Sequence, residues 1–321
     1  MIELPDVQTR HRPDADGVVV WSHRHLLDVD RLSRPEITAC LDLAAKMRAL
    51  RERGKRNDLL SREIVGLAFY EASTRTRVSF EIAASALGAQ VVDLRPGASS
   101  VSKGESLVDT LRTLERTGAT TVVLRHAASG APYLAARSTG LRIVNAGDGT
   151  HAHPTQALLD ALTLRDALGE LDGRVITIVG DIVHSRVARS NLHALTTLGA
   201  RVRLAGPPAF VRGFAGLPGV SVARDLKGAL EGADAVMALR VQLERDAGGG
   251  IASLAAYARD WGLTEERMRL ASANAPLLHP GPTNEGVELT AALAAGPRSL
   301  IGMQVANGVA VRMAILALLA G

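Results

Sequence analysis

The chain has 321 residues, 47% of them hydrophobic, with a mean hydropathy of +0.12: enough apolar material for one large core or two medium ones, and too much for a disordered polymer. A net charge of +4 leaves nucleic acid open as a partner, but the basic residues are spread along the chain, aromatics are only 3%, and no nucleic-acid-binding motif occurs, so small anionic substrates suit the excess better. A lone cysteine, Cys40, excludes a disulfide framework and points to a reducing, cytoplasmic setting.

The opening stretch MIELPDVQTRHRPDADG has no apolar run and does not read as a signal segment. The first predicted element is a helix over PEITACLDLAAKMRAL, with Ser33 and Glu36 as a capping box around Pro35 and Cys40 as a small core residue. Apolar runs of strand length then alternate with helical patterns: IVGLAF, QVVDL, TVVLRH and RIVNAG, and later RVITIVG, ARVRLAG, DAVMAL and APLLHPG. A long helical pattern over residues 153–168 separates the two sets. The final apolar segment, SLIGMQVANGVAVRMAILALLA, reads as a terminal helix; Asn307 and Arg312 interrupt it, so it does not read as a membrane span. The alternation predicts an α/β fold with two doubly wound parallel-sheet domains joined by a long interdomain helix. The expected domains are residues 1–152 and 153–302, with the helix from 303 to 321 packing back on the first.

Several predicted strands run directly into polar residues: Ser73 to Arg77 after the first, Arg125 and His126 at the third, Asp181 to Arg186 after VITIVG, and Arg240 after DAVMAL. Ligands of open α/β sheets bind beyond the carboxyl ends of strands, so these are the candidate site residues. STRT, at 73–76, falls where the amides of the helix RVSFEIAASALG are unpaired and its dipole is positive. Ser73, Thr74 and Thr76 offer hydroxyls, and Arg75 and Arg77, two apart, cannot share one helix face. Spacing leaves two readings, a phosphate site or an N-cap with solvated arginines.

Other patterns carry less. His151 and His153 form HxH, but Pro154 starts a helix there and no nearby Glu or Cys supplies a third metal ligand. The turn after VITIVG begins at Gly180 and lacks the second and third glycines of a dinucleotide fingerprint. Arg186 has a bland alternative as a solvated helix residue. RPGASSVSKGES is a long polar connection holding Ser99 and Lys103, and RVQLERDAGGGIAS has glycines at 248–250 that would suit the hinge of a lid.

Seven motifs in order, STRTRVSFE, SSVSKGESLVDT, LRH, NAGDGTHAHPTQALLD, VGDIVHSRVARSN, LRVQLER and HPGPTNEGVEL, resemble the catalytic chain of aspartate carbamoyltransferases, in the aspartate/ornithine carbamoyltransferase superfamily. The resemblance implies carbamoyl transfer from carbamoyl phosphate to L-aspartate, in de novo pyrimidine biosynthesis, without metal or organic cofactor. It implies that Ser73, Thr74, Arg75 and Thr76 hold the phosphate, that Thr74, Arg125 and His153 bond the carbonyl oxygen, and that Gln156 binds the carbamoyl amine. Ser99, Lys103, Pro280 and Gly281 join the carbamoyl phosphate site, and Lys103, Arg186, Arg240 and Gln242 receive aspartate. Ser99 and Lys103 would reach a neighbouring subunit's site, which implies a homotrimer with shared sites, in some assemblies joined by regulatory or dihydroorotase subunits, and no nucleic acid or membrane partner. Arg75, Thr76, Lys103, Arg125 and His153 are the implied catalytic set. Ornithine-specific relatives carry a cysteine in an HCLP-type motif where this chain has HPGP at 279–282; an acylated-ornithine enzyme and a non-catalytic binding or assembly homologue are the alternatives. One departure stands out: the family's PVNRGVE reads PTNEGVE, with Glu285 in place of arginine.

Overall fold

The computed structural model describes residues 21–54, 57–94, 105–241 and 253–321. The chain divides into two compact units, one comprising the described residues up to Leu158 together with Ala306–Gly321, the other Leu159–Val305.

In the first unit, α1 (Arg34–Glu52) starts on the expected capping box: Ser33 N donates to Glu36 Oε2 at 2.9 Å, and Ser33 Oγ accepts in return from Glu36 N. Cys40 is fully buried on its inner face. There follow β1 (Ile64–Phe69), α2 (Thr74–Ala86), β2 (Gln90–Leu94), α3 (Leu107–Arg116), β3 (Thr121–His126), α4 (Ala131–Ser138), β4 (Arg142–Asp148) and α5 (Pro154–Leu168). The four strands form a parallel sheet in the order β2-β1-β3-β4. Strands β1, β3 and β4 are buried along most of their length, as befits a parallel sheet whose two faces are both covered.

The second unit continues with β5 (Val175–Val179), α6 (Arg186–Thr197), β6 (Arg201–Ala205), β7 (Val220–Val222), α7 (Leu226–Leu230), β8 (Ala235–Ala238), α8 (Leu254–Trp261), α9 (Glu265–Met268), β9 (Leu277–Leu278), α10 (Ala291–Ala295) and α11 (Ile301–Ala320). Its parallel sheet has the order β7-β6-β5-β8-β9. The division between the units falls inside α5 and again inside α11. α11 is long and apolar enough to cross a membrane by composition, yet most of it is buried within the protein. Its polar residues are also used internally: Asn307 accepts from Arg48 at 2.6 Å, and the Arg312 guanidinium lies 5.0 Å from the Phe80 ring centre.

Gly180, which follows β5, is a position where the backbone requires glycine. Its φ is +139°, its N–H donates to Ala205 O at 2.9 Å, and an added Cβ would lie 3.0 Å from the Leu239 carbonyl oxygen. At Gly213 φ is +89° but a Cβ would meet nothing within 4 Å. Gly180→Ala should therefore lower the unfolding free energy by about 2 kcal/mol or more, through both strain and overpacking, and Gly213→Ala by only about 1 kcal/mol. Urea titration of the two variants checks the ranking.

Candidate active site

Each sheet has one switch point where the strand order reverses, between β1 and β3 in the first and between β5 and β8 in the second. The predicted site residues leave from those strands and their neighbours. At the first, Phe69 of β1 stands in register with Arg125 of β3, and Tyr70 N donates to Arg125 O at 2.9 Å, which brings Arg125 beside the segment leading into α2. Helix α2 begins at Thr74, so Thr74, Arg75 and Thr76 form its first turn rather than preceding it. Ser73 is the N-cap, in extended conformation and with no side-chain cap bond, which leaves the first-turn amides without that competitor. Thr76 is buried, Thr74 and Arg75 are exposed, and Ser79 donates back to Arg75 O at 2.7 Å.

The two arginines separate as their spacing requires. Arg77 is tied within the unit, its Nη1 3.2 Å from Asp93 Oδ2 on β2 and 3.5 Å from Glu81. Arg75 is the one left facing solvent at the helix start. Arg125 Nε lies 3.4 Å from Glu71 Oε2, and its Nη1 reaches Ala146 O on β4 at 3.4 Å.

His153 precedes α5 and is buried, and Gln156 N donates to His153 O at 3.0 Å, so both belong to the same first turn. The loop carrying His153 is fastened by Asp148, fully buried at the end of β4. Asp148 accepts from Gly130 N at 2.7 Å, Asn145 Nδ2 at 2.8 Å and Ala152 N at 3.1 Å. His151 does not pair with His153: its ring packs against Asp148 at 3.1 Å and Asp28 at 3.6 Å. A cavity of about 630 Å³ in this unit, lined in part by Glu63, Thr120 and Arg142, opens at the amino ends of β1, β3 and β4, and none of the predicted site residues lines it.

In the second unit Arg186 is the first residue of α6, capped by Ser185 Oγ accepting from Ala188 N at 3.1 Å. It is 6% exposed, which sets aside the reading as a solvated helix residue. Asp181, fully buried, accepts from His184 N at 3.2 Å and faces the His184 ring at 3.0 Å, closing the turn that leads to Arg186. Arg240 follows β8, on the strand next to β5. Leu239 N donates to Val179 O at 2.8 Å on one side of it, and Val241 N to Glu288 Oε1 at 2.9 Å on the other. Pro280 and Gly281 follow β9, where Gly281 N donates to His279 Nδ1 at 2.8 Å. Ser99, Lys103, Gln242 and the glycines at 248–250 lie outside the described residues.

Sequence reasoning passed over Asp148 and Glu288. Glu288 is 1% exposed and accepts three donors, Val241 N and both nitrogens of Asn284, each at 2.9 Å. Its place in PTNEGVE was the available signal, but an alternation of polar and apolar residues does not tell a buried acceptor from a solvated one.

Two parallel sheets with arginines and helix-start amides gathered at their switch points define a two-domain α/β enzyme for anionic substrates. Residues 24–166 match the aspartate/ornithine carbamoyltransferase carbamoyl-P binding domain, and residues 172–319 the Asp/Orn binding domain of the same family. The chain belongs to the aspartate/ornithine carbamoyltransferase family. It is 51% identical over 303 residues to the aspartate carbamoyltransferase catalytic subunit of Sorangium cellulosum (94% of each chain), and 50% identical over 293 residues to that of Myxococcus xanthus (91% of this chain, 98% of the relative). Among solved structures it resembles aspartate transcarbamoylase from Trypanosoma cruzi in complex with carbamoyl aspartate and phosphate, with TM-score 0.83 and 34% identity, covering 91% of this chain and 94% of that one. Ornithine carbamoyltransferase from Thermus thermophilus gives TM-score 0.80 at 28% identity, covering 93% and 99%.

Burial pushes the Glu288 carboxyl above its ordinary range, and the bonds from Val241 and Asn284 offset this only in part. The folded chain thus holds this proton more tightly than the unfolded one, so the carboxyl's contribution to stability falls as pH rises through the raised value. Unfolding free energies of the native chain and Glu288→Gln, compared from about pH 4.5 to about pH 7, should shift in favour of the variant as pH rises. A difference independent of pH would contradict the assignment.

Proposed function

We propose that the chain transfers the carbamoyl group of carbamoyl phosphate to the amine of L-aspartate, giving N-carbamoyl-L-aspartate and phosphate. The observation that carries the reading is the uncapped start of α2, with Thr74, Arg75 and Thr76 in its first turn, and Arg125 in register with Phe69, where the segment leading into that helix begins. The names of the relatives at about half identity support aspartate as acceptor. The fold does not separate aspartate from ornithine, since the Thermus thermophilus enzyme shares it; HPGP at 279–282, with the only cysteine buried in α1, speaks against ornithine.

In this reading the α2 amides and Ser73, Thr74, Arg75 and Thr76 bind phosphate, where negative charge grows as the leaving group departs. Thr74, Arg125 and His153 donate to the carbonyl oxygen as the tetrahedral intermediate forms, Gln156 orients the carbamoyl amine, and Pro280 and Gly281 complete that substrate's contacts. Arg186, Arg240 and Gln242 take the two carboxylates of aspartate as guanidinium forks and an amide. The amine attacks directly: its lone pair forms the C–N bond, the C–O bond to phosphate breaks, and the departing phosphate or His153 takes the amine proton. Rate enhancement comes from positioning and from donors aimed at developing charge. The reading also carries a homotrimer, with Ser99 and Lys103 supplied by a neighbouring chain, and a cytoplasmic setting.

Arg75→Ala should lower kcat on the order of 10²-fold with little change in stability, because the side chain is exposed, while Arg77→Ala, which loses only ties to Asp93 and Glu81, should keep kcat within about threefold. Equal effects would remove the distinction. Arg240→Ala should raise the KM for aspartate by about tenfold or more and spare carbamoyl phosphate binding in the absence of aspartate; steady-state kinetics and calorimetry check both.

If Lys103 serves the neighbouring site, trimers reassembled from equal amounts of Arg75→Ala and Lys103→Ala chains should regain about one quarter of native activity, since a native site needs one intact residue from each of two adjacent chains. Mixed trimers without recovery would remove Lys103 from that role.

A further inference from the structure

The turn after β9 is held by a buried polar relay that the roles above leave unused. β9 has only two residues, so His279 N is the first backbone donor beyond the ladder; it goes to Gln304 Oε1 on α11 at 2.9 Å. Gln304 Nε2 in turn donates to Asp160 Oδ1 on α5 at 2.7 Å, and the other Asp160 oxygen accepts from Asn191 Nδ2 on α6 at 2.8 Å. Asp160 and Asn191 are fully buried, His279 is 1% and Gln304 3% exposed.

The chemistry of these groups gives the relay a direction. An ionised carboxylate only accepts, whereas a primary amide can be turned over to exchange its donor and acceptor ends. Asp160 therefore draws the nitrogen of the Gln304 amide towards itself, which leaves the Gln304 oxygen for His279 N. His279 passes the constraint on, because its Nδ1 accepts from Gly281 N at 2.8 Å, and Gly281 adopts φ +64° to complete the turn. Asn191 holds the second carboxylate oxygen while also donating to Val187 O at 3.1 Å, so its own orientation is set by its helix.

We propose that Asp160, acting through Gln304, is a positioning residue that fixes the His279–Pro280–Gly281 turn and thereby the affinity for carbamoyl phosphate. This rests on the reading that Pro280 and Gly281 contact that substrate. Asp160 does not itself touch the reacting atoms. A site contact displaced by about an ångström loses binding without changing the chemistry elsewhere, so the effect falls on KM more than on kcat.

Two variants test it. Gln304→Met keeps the side chain's length and removes both bonds; Asp160→Asn introduces a donor and lets Gln304 turn over. Hydrogen–deuterium exchange read by mass spectrometry on a peptide covering 277–284 should accelerate about tenfold or more in each, with a peptide covering β5 unchanged. The KM for carbamoyl phosphate should rise about tenfold with kcat within about threefold, and Asp160→Asn added to Gln304→Met should change either readout less than about twofold, since the two act as one unit. Should Asp160→Asn fail to fold, Gln304→Met alone carries the test. Unchanged exchange in the turn overturns the relay. Faster exchange with an unchanged KM keeps the relay but overturns the assignment of Pro280 and Gly281 to the substrate.

Discussion

All strands within each sheet run the same way, so every carboxyl end of a sheet opens on one edge, and the candidate site depends on that constraint. A strand that ends there hands its chain to a helix whose first amides have no internal partner and whose dipole is positive. Where the strand order reverses, two such ends diverge to opposite faces and leave room between them. Ser73 to Thr76 and Arg125 occupy that place in one sheet, Arg186 and Arg240 in the other. The polar residues of the strand ends are thus the candidate site, and the buried strands are what aim them.

Loops at strand ends are the least constrained part of such a fold, yet catalytic donors must be held to a fraction of an ångström. This chain meets the requirement with buried carboxylates that accept loop N–H groups. Asp148 fastens the loop before His153, Asp181 the turn before Arg186, Glu288 the residue after Arg240, and Asp160, through Gln304, the turn at His279. A buried carboxylate accepts several bonds at once and loses heavily if one is missing, so each such loop has one arrangement that satisfies its anchor. The energetic burden is visible at Glu288, whose burial raises its affinity for a proton.

Much of this was legible in the sequence, for reasons that are local. Strands buried on both faces read as continuous apolar runs, and Ser33 with Glu36 announced its helix start by spacing alone. Where the outcome depended on a neighbour distant in sequence, the pattern was silent. That Arg77 rather than Arg75 is tied down follows from Asp93, sixteen residues on and one strand away. Burial of Arg186, and the acceptor roles of Asp148, Asp160 and Glu288, depend on elements folding over them. β7, of three residues, is too short to show a period, whereas β9, of two, lay within the predicted run APLLHPG. The identity of the acceptor came from ordered motifs rather than from periodicity: the same strands and helices also build the ornithine enzyme.

The choice of acceptor is therefore what most needs a direct answer. Purified chain, supplied with carbamoyl phosphate and, in parallel, L-aspartate, L-ornithine or N-acetyl-L-ornithine, can be assayed for ureido product by its colour reaction. The assignment of aspartate as acceptor requires product with aspartate and none above background with the other two. Product with ornithine or acetylornithine but not aspartate, or no product with any of them from a folded chain, would contradict it.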